Sequence, residues 1–129
     1  MTSFSGHGGK WLFYHGVSDP AFSAQDTVEY YETMIKANEA AKSWSRLFLA
    51  PGMSHCGGGD AALDSFDLLG AVVDWVEKGV ALDQVVATGR AFPGRSRPLC
   101  PYPTYAHYKG KGDTEDAKNF ECRSASGAN

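Results

Sequence analysis

The stretches WLFYHGVSDP at residues 11–20 and RLFLAPGMSHCGGG at residues 46–59 decide the fold that the sequence predicts. Each opens with an apolar run that is too short for a helix and that is closed by a glycine or a proline-glycine pair. We therefore predict two strands, at residues 11–14 and 46–50. One helical pattern lies between them, and this order of elements is typical of parallel strands in an α/β fold.

The helical pattern between the strands extends from Ser23 to Ala41. Ser23 and Asp26 resemble a capping box, and the apolar residues that follow recur on roughly one helical face. A second helix is predicted over residues 62–78, where Leu, Phe, Val and Trp side chains form a wide apolar face. Gly79 occupies the position expected of its C-cap.

Asp19 and His55 are candidate catalytic residues because each lies in a loop that directly follows a predicted strand. An acid followed by a histidine matches the last two members of the α/β-hydrolase triad, whose chain order is nucleophile, acid, histidine. The sequence contains no GxSxG nucleophile elbow, so we expect the nucleophile to lie upstream of residue 1. Taken alone, Asp19 also suits a simple turn before proline, and His55 a structural or surface position.

The expected fold class is α/β, specifically the C-terminal part of an α/β-hydrolase fold with parallel strands and flanking helices. We expect residues 1–10 to be a flexible Gly- and Ser-rich lead and residues 11–88 to be the core part. Residues 80–86 are expected to form a short strand or a docked extended segment. Residues 89–129 form a Pro- and Tyr-rich tail, for which coil and turns are expected.

Charge and hydropathy bear on the class of partner. The chain has 129 residues, with 12 basic and 15 acidic side chains and a net charge of −3. This balance provides no broad basic surface, so no nucleic-acid partner is expected. No apolar run approaches the roughly 20 residues needed to span a bilayer, so no membrane partner is expected either.

The three cysteines form an odd number. Cys100 and Cys122 bracket the tail, which a disulfide could hold against the core, and such a bridge implies an oxidising compartment. Cys56 is then left over beside His55. It either packs as a small buried hydrophobic residue or has a partner outside these residues.

Four segments together resemble the C-terminal third of the tannase and feruloyl esterase family, which also includes enzymes that act on mono(2-hydroxyethyl) terephthalate. They are GGKWLFYHGVSDPAFS, RLFLAPGMSHCGGG, ALDSFDLLGAVVDWVEKGVALDQVVA and RSRPLCPYPTYAHYKGKGDTEDAKNFEC. The resemblance covers residues 8–122 and includes HGxxD, PGMxHCxGG and RPLCPYP motifs in this order. It implies a serine hydrolase acting on aryl esters, secreted or periplasmic, with a Ser-His-Asp triad.

Carried over residue by residue, the resemblance makes Asp19 the triad acid and His55 the general base. Cys56 would be one half of a disulfide to a cysteine beside the catalytic serine, and Cys100 and Cys122 match a C-terminal pair. The family's serine elbow, oxyanion-hole donors and lid with its structural calcium have no counterpart in the sequence. We therefore expect no cofactor or metal in this chain, and no hydrolysis by the chain alone.

Phe22, three residues beyond Asp19, is a candidate substrate-binding residue. Its ring could form an apolar wall for the aromatic acyl group that the family's substrates carry. An ordinary core position fits the sequence equally well.

Two other classes of function are compatible with the residues. His15, His55 and Cys56 could bind a soft metal, although none of their spacings is typical of metal ligands. The chain could also be a truncated, non-catalytic interaction module. Otherwise His7, His15 and His107 are interpreted as structural or solvated. In every case two parallel strands leave open sheet edges, so the partner expected is the missing N-terminal part or a second copy of the chain.

Overall fold

A computed structural model of the protein describes residues 2–125. Its helices and strands are, in chain order, α1 (Thr2–Gly6), β1 (Trp11–Gly16), α2 (Ala24–Ala37), β2 (Ser45–Ala50), α3 (Leu68–Lys78), β3 (Val85–Thr88), β4 (Ser96–Leu99), β5 (Thr104–Tyr108) and β6 (Phe120–Ser124). Two 3₁₀ turns, Glu39–Ser43 and Ala117–Asn119, precede β2 and β6. None of the described helices is long and apolar enough to cross a membrane.

The two predicted strands are confirmed, and they pair in parallel. The register runs from Trp11 opposite Ser45 to Gly16 opposite Ala50. Parallel strands need a crossover connection, and α2 with the following 3₁₀ turn provides it. The carboxyl ends of β1 and β2 therefore lie at the same edge of the sheet.

The first predicted helix is confirmed but is shorter than expected. The Ser23 side chain accepts a hydrogen bond from the amide of Gln25 and caps α2. The helix ends at Ala37 instead of Ala41, because Asn38 adopts an extended conformation and its side chain caps the 3₁₀ turn. Its buried residue Tyr31 packs with Val28 and Leu47 on one face of the sheet.

The second predicted helix begins six residues later than expected. The prediction of a helix from Ala62 was wrong because the preceding segment is extended, with Ser65 and Thr88 exchanging backbone hydrogen bonds of 2.9 Å. Asp67 then caps α3, its carboxylate accepting from the amide of Gly70 at 2.7 Å. Trp75 of α3 is buried with Phe48 on the other face of the sheet.

The tail, predicted as coil and turns, contains three strands, β4, β5 and β6. The strand β4 pairs with β3, and β6 pairs with β5. These strands have four or five residues, and Pro98 lies inside β4, so the alternation that would reveal them is short and interrupted. A disulfide joins Cys100 to Cys122, with Cα atoms 5.6 Å apart, whereas Cys56 is free and exposed.

The predicted lead also differs from the expectation of a flexible segment. Residues 2–6 form the short helix α1, and the Phe4 ring contacts the rings of Trp11 and Trp44 in edge-to-face geometry. The lead is therefore docked against the start of β1.

The two edges of the β1–β2 sheet differ, because among the described residues only the edge formed by β2 is covered by other chain segments. The tail lies along the outer edge of β2, where the Tyr102 amide donates to the Leu47 carbonyl at 2.7 Å and Pro101 bridges to Phe48. Within residues 2–125, β1 has no strand partner other than β2. The outward face of α3 carries three exposed apolar residues at helical spacing: Leu69, Val73 and Val76.

We propose that the open edge of β1 and the outward face of α3 are covered by a second copy of the chain or by further chain of the same fold. The purified 129-residue chain is expected to dimerise or form higher oligomers, since unpaired strand edges and apolar stripes favour association. Multi-angle light scattering over a dilution series measures this. A folded monomer at every concentration would contradict the proposal, and Val73→Lys is expected to weaken association.

Candidate active site

The loops that follow β1 and β2 are joined to each other by backbone hydrogen bonds. The Val17 amide donates to the Ala50 carbonyl and the Ser18 amide donates to the Met53 carbonyl, both at 3.0 Å. Met53 is fully buried, so the second loop is anchored in the core. The two loops are therefore held side by side by their backbones alone.

Gly16, the last residue of β1, allows the loops to approach this closely. A Cβ atom at this position would lie 2.2 Å from the Ser54 carbonyl oxygen and 2.4 Å from that of Met53. Both obstacles are backbone atoms, so a side chain would have to push the whole loop away. The absence of a side chain at Gly16 thus sets the distance between the loops.

Asp19 is held by hydrogen bonds to both carboxylate oxygens. Oδ1 accepts from the amides of Ala21 at 2.8 Å and Phe22 at 3.1 Å, and Oδ2 accepts from Nδ1 of His55 at 2.6 Å. The Asp19 side chain is only 3% exposed. The hydrogen bond from His55, opposed by desolvation and assisted by the two amides, lowers the Asp19 pKa from 3.8 to about 2. Asp19 is therefore ionised at neutral pH.

The His55 side chain is half exposed, in contrast to its partner. Nδ1 contacts Asp19, and within residues 2–125 no hydroxyl group hydrogen-bonds to the other ring nitrogen, Nε2. The next residue, Cys56, has a φ of +59°, a left-handed conformation that is uncommon for residues other than glycine. The glycine-rich loop that follows Cys56 is held by a hydrogen bond of 2.7 Å from the Gly58 amide to the Asp64 carboxylate.

Phe22 lines a cleft of about 480 Å³ that is also lined by Asp19 and His55. Its ring centroid is 5.5 Å from that of His55. The side chain is exposed, which excludes the alternative that Phe22 is a core residue. Tyr14 and Tyr30 line the same cleft, whose size is in the range of small-molecule sites.

The structure separates the cysteines. Cys56 lines the cleft beside His55, and its exposure excludes the alternative of a buried hydrophobic residue. Cys100 and Cys122 form their disulfide in the tail and do not line the cleft.

The metal-binding alternative gains no support from the geometry. Among residues 2–125, no group of three His, Cys, Asp or Glu side chains is placed to hold a metal ion.

Sequence reasoning missed His15 and Thr27 as parts of the site. Nδ1 of His15 lies 2.7 Å from the Thr27 hydroxyl, and Nε2 lies 3.5 Å from Oδ2 of Asp19. A usable signal was present, since His15 is the second-last residue of β1, four residues before Asp19, and so lies beside the same loop. Thr27 is 12 residues from His15 in the sequence, and nothing in that spacing indicated a contact between them.

Comparison with known proteins assigns the family. The sequence model described as "Tannase and feruloyl esterase" matches residues 1–123. The chain belongs to the tannase and feruloyl esterase family. The members of this family are carboxylic ester hydrolases, and the resemblance seen in the motifs is confirmed.

Several relatives of this family match most of the chain. Mono(2-hydroxyethyl) terephthalate hydrolase of Piscinibacter sakaiensis is 49% identical over 128 residues, which are 95% of this chain and 21% of that protein. The crystal structure of an esterase from Aspergillus oryzae superposes with a TM-score of 0.77 at 32% identity, covering 95% of this chain and 29% of that one. The crystal structure of feruloyl esterase B from Aspergillus oryzae superposes with a TM-score of 0.75 at 30% sequence identity. This match covers 95% of this chain and 28% of that one.

These comparisons confirm the α/β-hydrolase fold class. They also show that the chain spans about a fifth of the length of the terephthalate-ester hydrolase and less than a third of the two Aspergillus structures. The roles of Asp19, His55 and Phe22 are not assigned by them and stay predictions.

Replacing Gly16 by Ala is expected to lower the free energy of unfolding by about 2 kcal/mol or more, because the new methyl group meets two backbone carbonyls. Gly6→Ala is the matched control, since a Cβ atom there has nothing within 4 Å. Urea unfolding of the two variants measures the difference. Equal free energies of unfolding for the two variants would show that the loop at residues 51–55 moves away from the new methyl group at no cost in stability.

The lowered pKa of Asp19 predicts a pH dependence of stability. A carboxylate whose pKa is lower in the folded state stabilises the fold above its unfolded pKa of 3.8, and this contribution is lost as the pH falls toward 2. Asp19→Asn should therefore be less stable than the parent chain at pH 6, and the difference should shrink between pH 4 and pH 2. Urea unfolding over this range measures it, and a difference independent of pH would contradict the assignment.

Proposed function

We propose that this chain supplies the acid and the base of a serine carboxylic ester hydrolase that cleaves esters of aromatic acids, of feruloyl, galloyl or terephthalate type. The observation that carries the proposal is the contact of 2.6 Å between the buried Asp19 carboxylate and Nδ1 of the half-exposed His55. In this role Asp19 is the triad acid and His55 is the general base.

The position of the proton on His55 follows from the ionisation of Asp19. A carboxylate with a pKa of about 2 only accepts hydrogen bonds at neutral pH, so Nδ1 of His55 must carry the proton. In the neutral imidazole, Nε2 then has a free lone pair. It is the nitrogen able to take a proton from an incoming hydroxyl group.

The reaction proceeds in two balanced halves. As a serine oxygen attacks the ester carbonyl carbon, Nε2 of His55 takes the serine proton, and the Asp19 carboxylate stabilises the resulting imidazolium. The imidazolium returns the proton to the departing alcohol, leaving an acyl-enzyme. Water then attacks the acyl carbon by the same route, releasing the acid and restoring the serine.

We infer that the serine and the oxyanion donors come from outside these 129 residues. The sequence has no GxSxG elbow, and within residues 2–125 no hydroxyl group hydrogen-bonds to Nε2 of His55. This division of the triad accords with a chain that spans about a fifth of a family relative. The partners proposed are the remaining part of the fold and the aromatic ester.

Phe22 is proposed as the wall of the acyl pocket. Its exposed ring, 5.5 Å from that of His55, gives a planar acyl group an apolar surface next to the base. Tyr14 and Tyr30 extend the aromatic lining of the cleft. An aromatic acid would bury more of this surface than a short aliphatic one, which favours aryl esters.

An oxidising compartment is proposed as the place of action, either outside the cell or in a periplasm. The disulfide between Cys100 and Cys122 supports it, since such bridges persist where thiols are not kept reduced.

The function is testable in a chimera in which this chain replaces the matching segment of the Piscinibacter sakaiensis hydrolase. The chimera should hydrolyse mono(2-hydroxyethyl) terephthalate or methyl ferulate with saturation kinetics. His55→Ala and Asp19→Asn should each lower kcat by roughly 10⁴-fold, as loss of a triad member does in other serine hydrolases. Phe22→Ala should mainly raise KM for the aryl ester.

Two controls make this test decisive. His7→Ala, a histidine outside the cleft, should leave kcat unchanged. The chain alone should hydrolyse a nitrophenyl ester no faster than its own His55→Ala variant, because it lacks a nucleophile and oxyanion donors. A folded but inactive chimera would favour the alternative of a non-catalytic interaction module.

A further inference from the structure

His15 is a largely buried histidine whose ring contacts three separate parts of the site. Its side chain is 12% exposed at the end of β1. Nδ1 lies 2.7 Å from the Thr27 hydroxyl of α2, and Nε2 lies 3.2 Å from the Phe22 carbonyl and 3.5 Å from Oδ2 of Asp19. Both ring nitrogens are therefore engaged.

These partners determine the tautomer of the neutral ring. The Phe22 carbonyl and the Asp19 carboxylate only accept hydrogen bonds, so the nitrogen facing them, Nε2, must carry the proton. Nδ1 is then unprotonated and accepts from the Thr27 hydroxyl. Thr27 thus fixes the ring in the state that presents an N–H to the turn.

The contact with Phe22 closes a ring of interactions around Asp19. The Phe22 amide donates to Oδ1 of Asp19, while the carbonyl of the same residue accepts from His15. His15 therefore restrains the turn that supplies an amide donor to the carboxylate. Its N–H also faces Oδ2, the oxygen that accepts from His55.

We propose that His15, with Thr27 behind it, is a positioning residue that holds the Asp19–Phe22 turn so that Asp19 faces His55 and the Phe22 ring stands beside it. The proposal rests on the proposed function, because it gives Asp19 and Phe22 their roles in the reaction. It extends that function to a residue that acts through Asp19 and Phe22.

The pKa of Asp19 provides a readout that simple packing would not change. It is lowered chiefly by the hydrogen bond from His55 and also by those from the amides of Ala21 and Phe22. A rise on substitution of His15 would therefore report that the carboxylate had lost its alignment with these donors, together with the nearby N–H of His15 itself. The other carboxylate that lines the cleft, Asp26, serves as an internal reference.

The experiment is a titration of the side-chain carboxyl ¹³C resonances of the 129-residue chain by NMR. His15→Leu keeps the bulk of the ring but removes both polar atoms, and it is expected to raise the Asp19 pKa by about one unit from about 2 toward 3.8. His15→Gln places an N–H near the position of Nε2 and should restore part of the lowering. An unchanged Asp19 pKa in a folded His15→Leu chain would overturn the proposal.

A second pair of variants tests the proposal if His15→Leu does not fold. Thr27→Val keeps the side-chain shape without the hydroxyl, and Thr27→Ser keeps the hydroxyl. Thr27→Val should raise the Asp19 pKa and shift the His15 ring ¹⁵N resonances toward a mixture of tautomers, whereas Thr27→Ser should resemble the parent chain. Identical spectra and pKa values for the two variants would overturn the role assigned to Thr27 and His15.

The chimera separates this proposal from the proposed function. In an active chimera, His15→Leu is expected to lower kcat by about tenfold or more, because a misplaced acid weakens the general base. Wild-type rates for that variant would overturn the positioning role while leaving the proposed function intact. A folded chimera without activity would contradict the proposed function, and the NMR titration would still decide whether His15 aligns Asp19.

Discussion

The parallel pairing of β1 with β2 is the constraint on which the rest of the structure depends. Side chains alternate between the faces of a strand, so the adjacent residues Leu47 and Phe48 enter different cores, one beneath α2 and the other beneath α3. Both are fully buried, and each contributes roughly 1.5–3 kcal/mol through removal of apolar surface from water. The same pairing places the two functional loops at one edge of the sheet.

Electrostatics then determine what the paired loops can hold. A nearly buried carboxylate is costly unless donors surround it, and Asp19 has donors from the amides of Ala21 and Phe22 and from His55. The donors outweigh desolvation, since the Asp19 pKa falls to about 2. A carboxylate held in its ionised form can only accept a hydrogen bond, so it fixes the proton of neutral His55 on Nδ1 and leaves Nε2 of the half-exposed ring unprotonated.

The parts of the fold that sequence reasoning found are those with a local signal. A few neighbouring residues are enough to predict the strands β1 and β2 from their apolar runs and the helix cap at Ser23. The same holds for the position of Asp19 and His55 directly after the strands. The start of α3 depends on Ser65 pairing with Thr88, 23 residues away. The pairs β3–β4 and β5–β6 are built from strands of four or five residues, too short for a clear alternation, and Pro98 interrupts the pattern of β4. His15 had a local signal in its place four residues before Asp19, whereas its contact with Thr27 across the crossover had none.

Two tight backbone features lie at this same edge of the sheet. Cys56 adopts a left-handed backbone conformation directly after His55, and Gly16 brings two loops into backbone contact at the end of β1. Such features persist only where the surrounding structure outweighs them, and here the buried Met53 and the hydrogen bonds between the loops do so. Asp19, His55 and the contacts that hold Asp19 in place are therefore arranged by the fold itself. A site arranged in this way spends little free energy on reorganisation when the proton moves, which is the condition under which an acid–base pair is most effective.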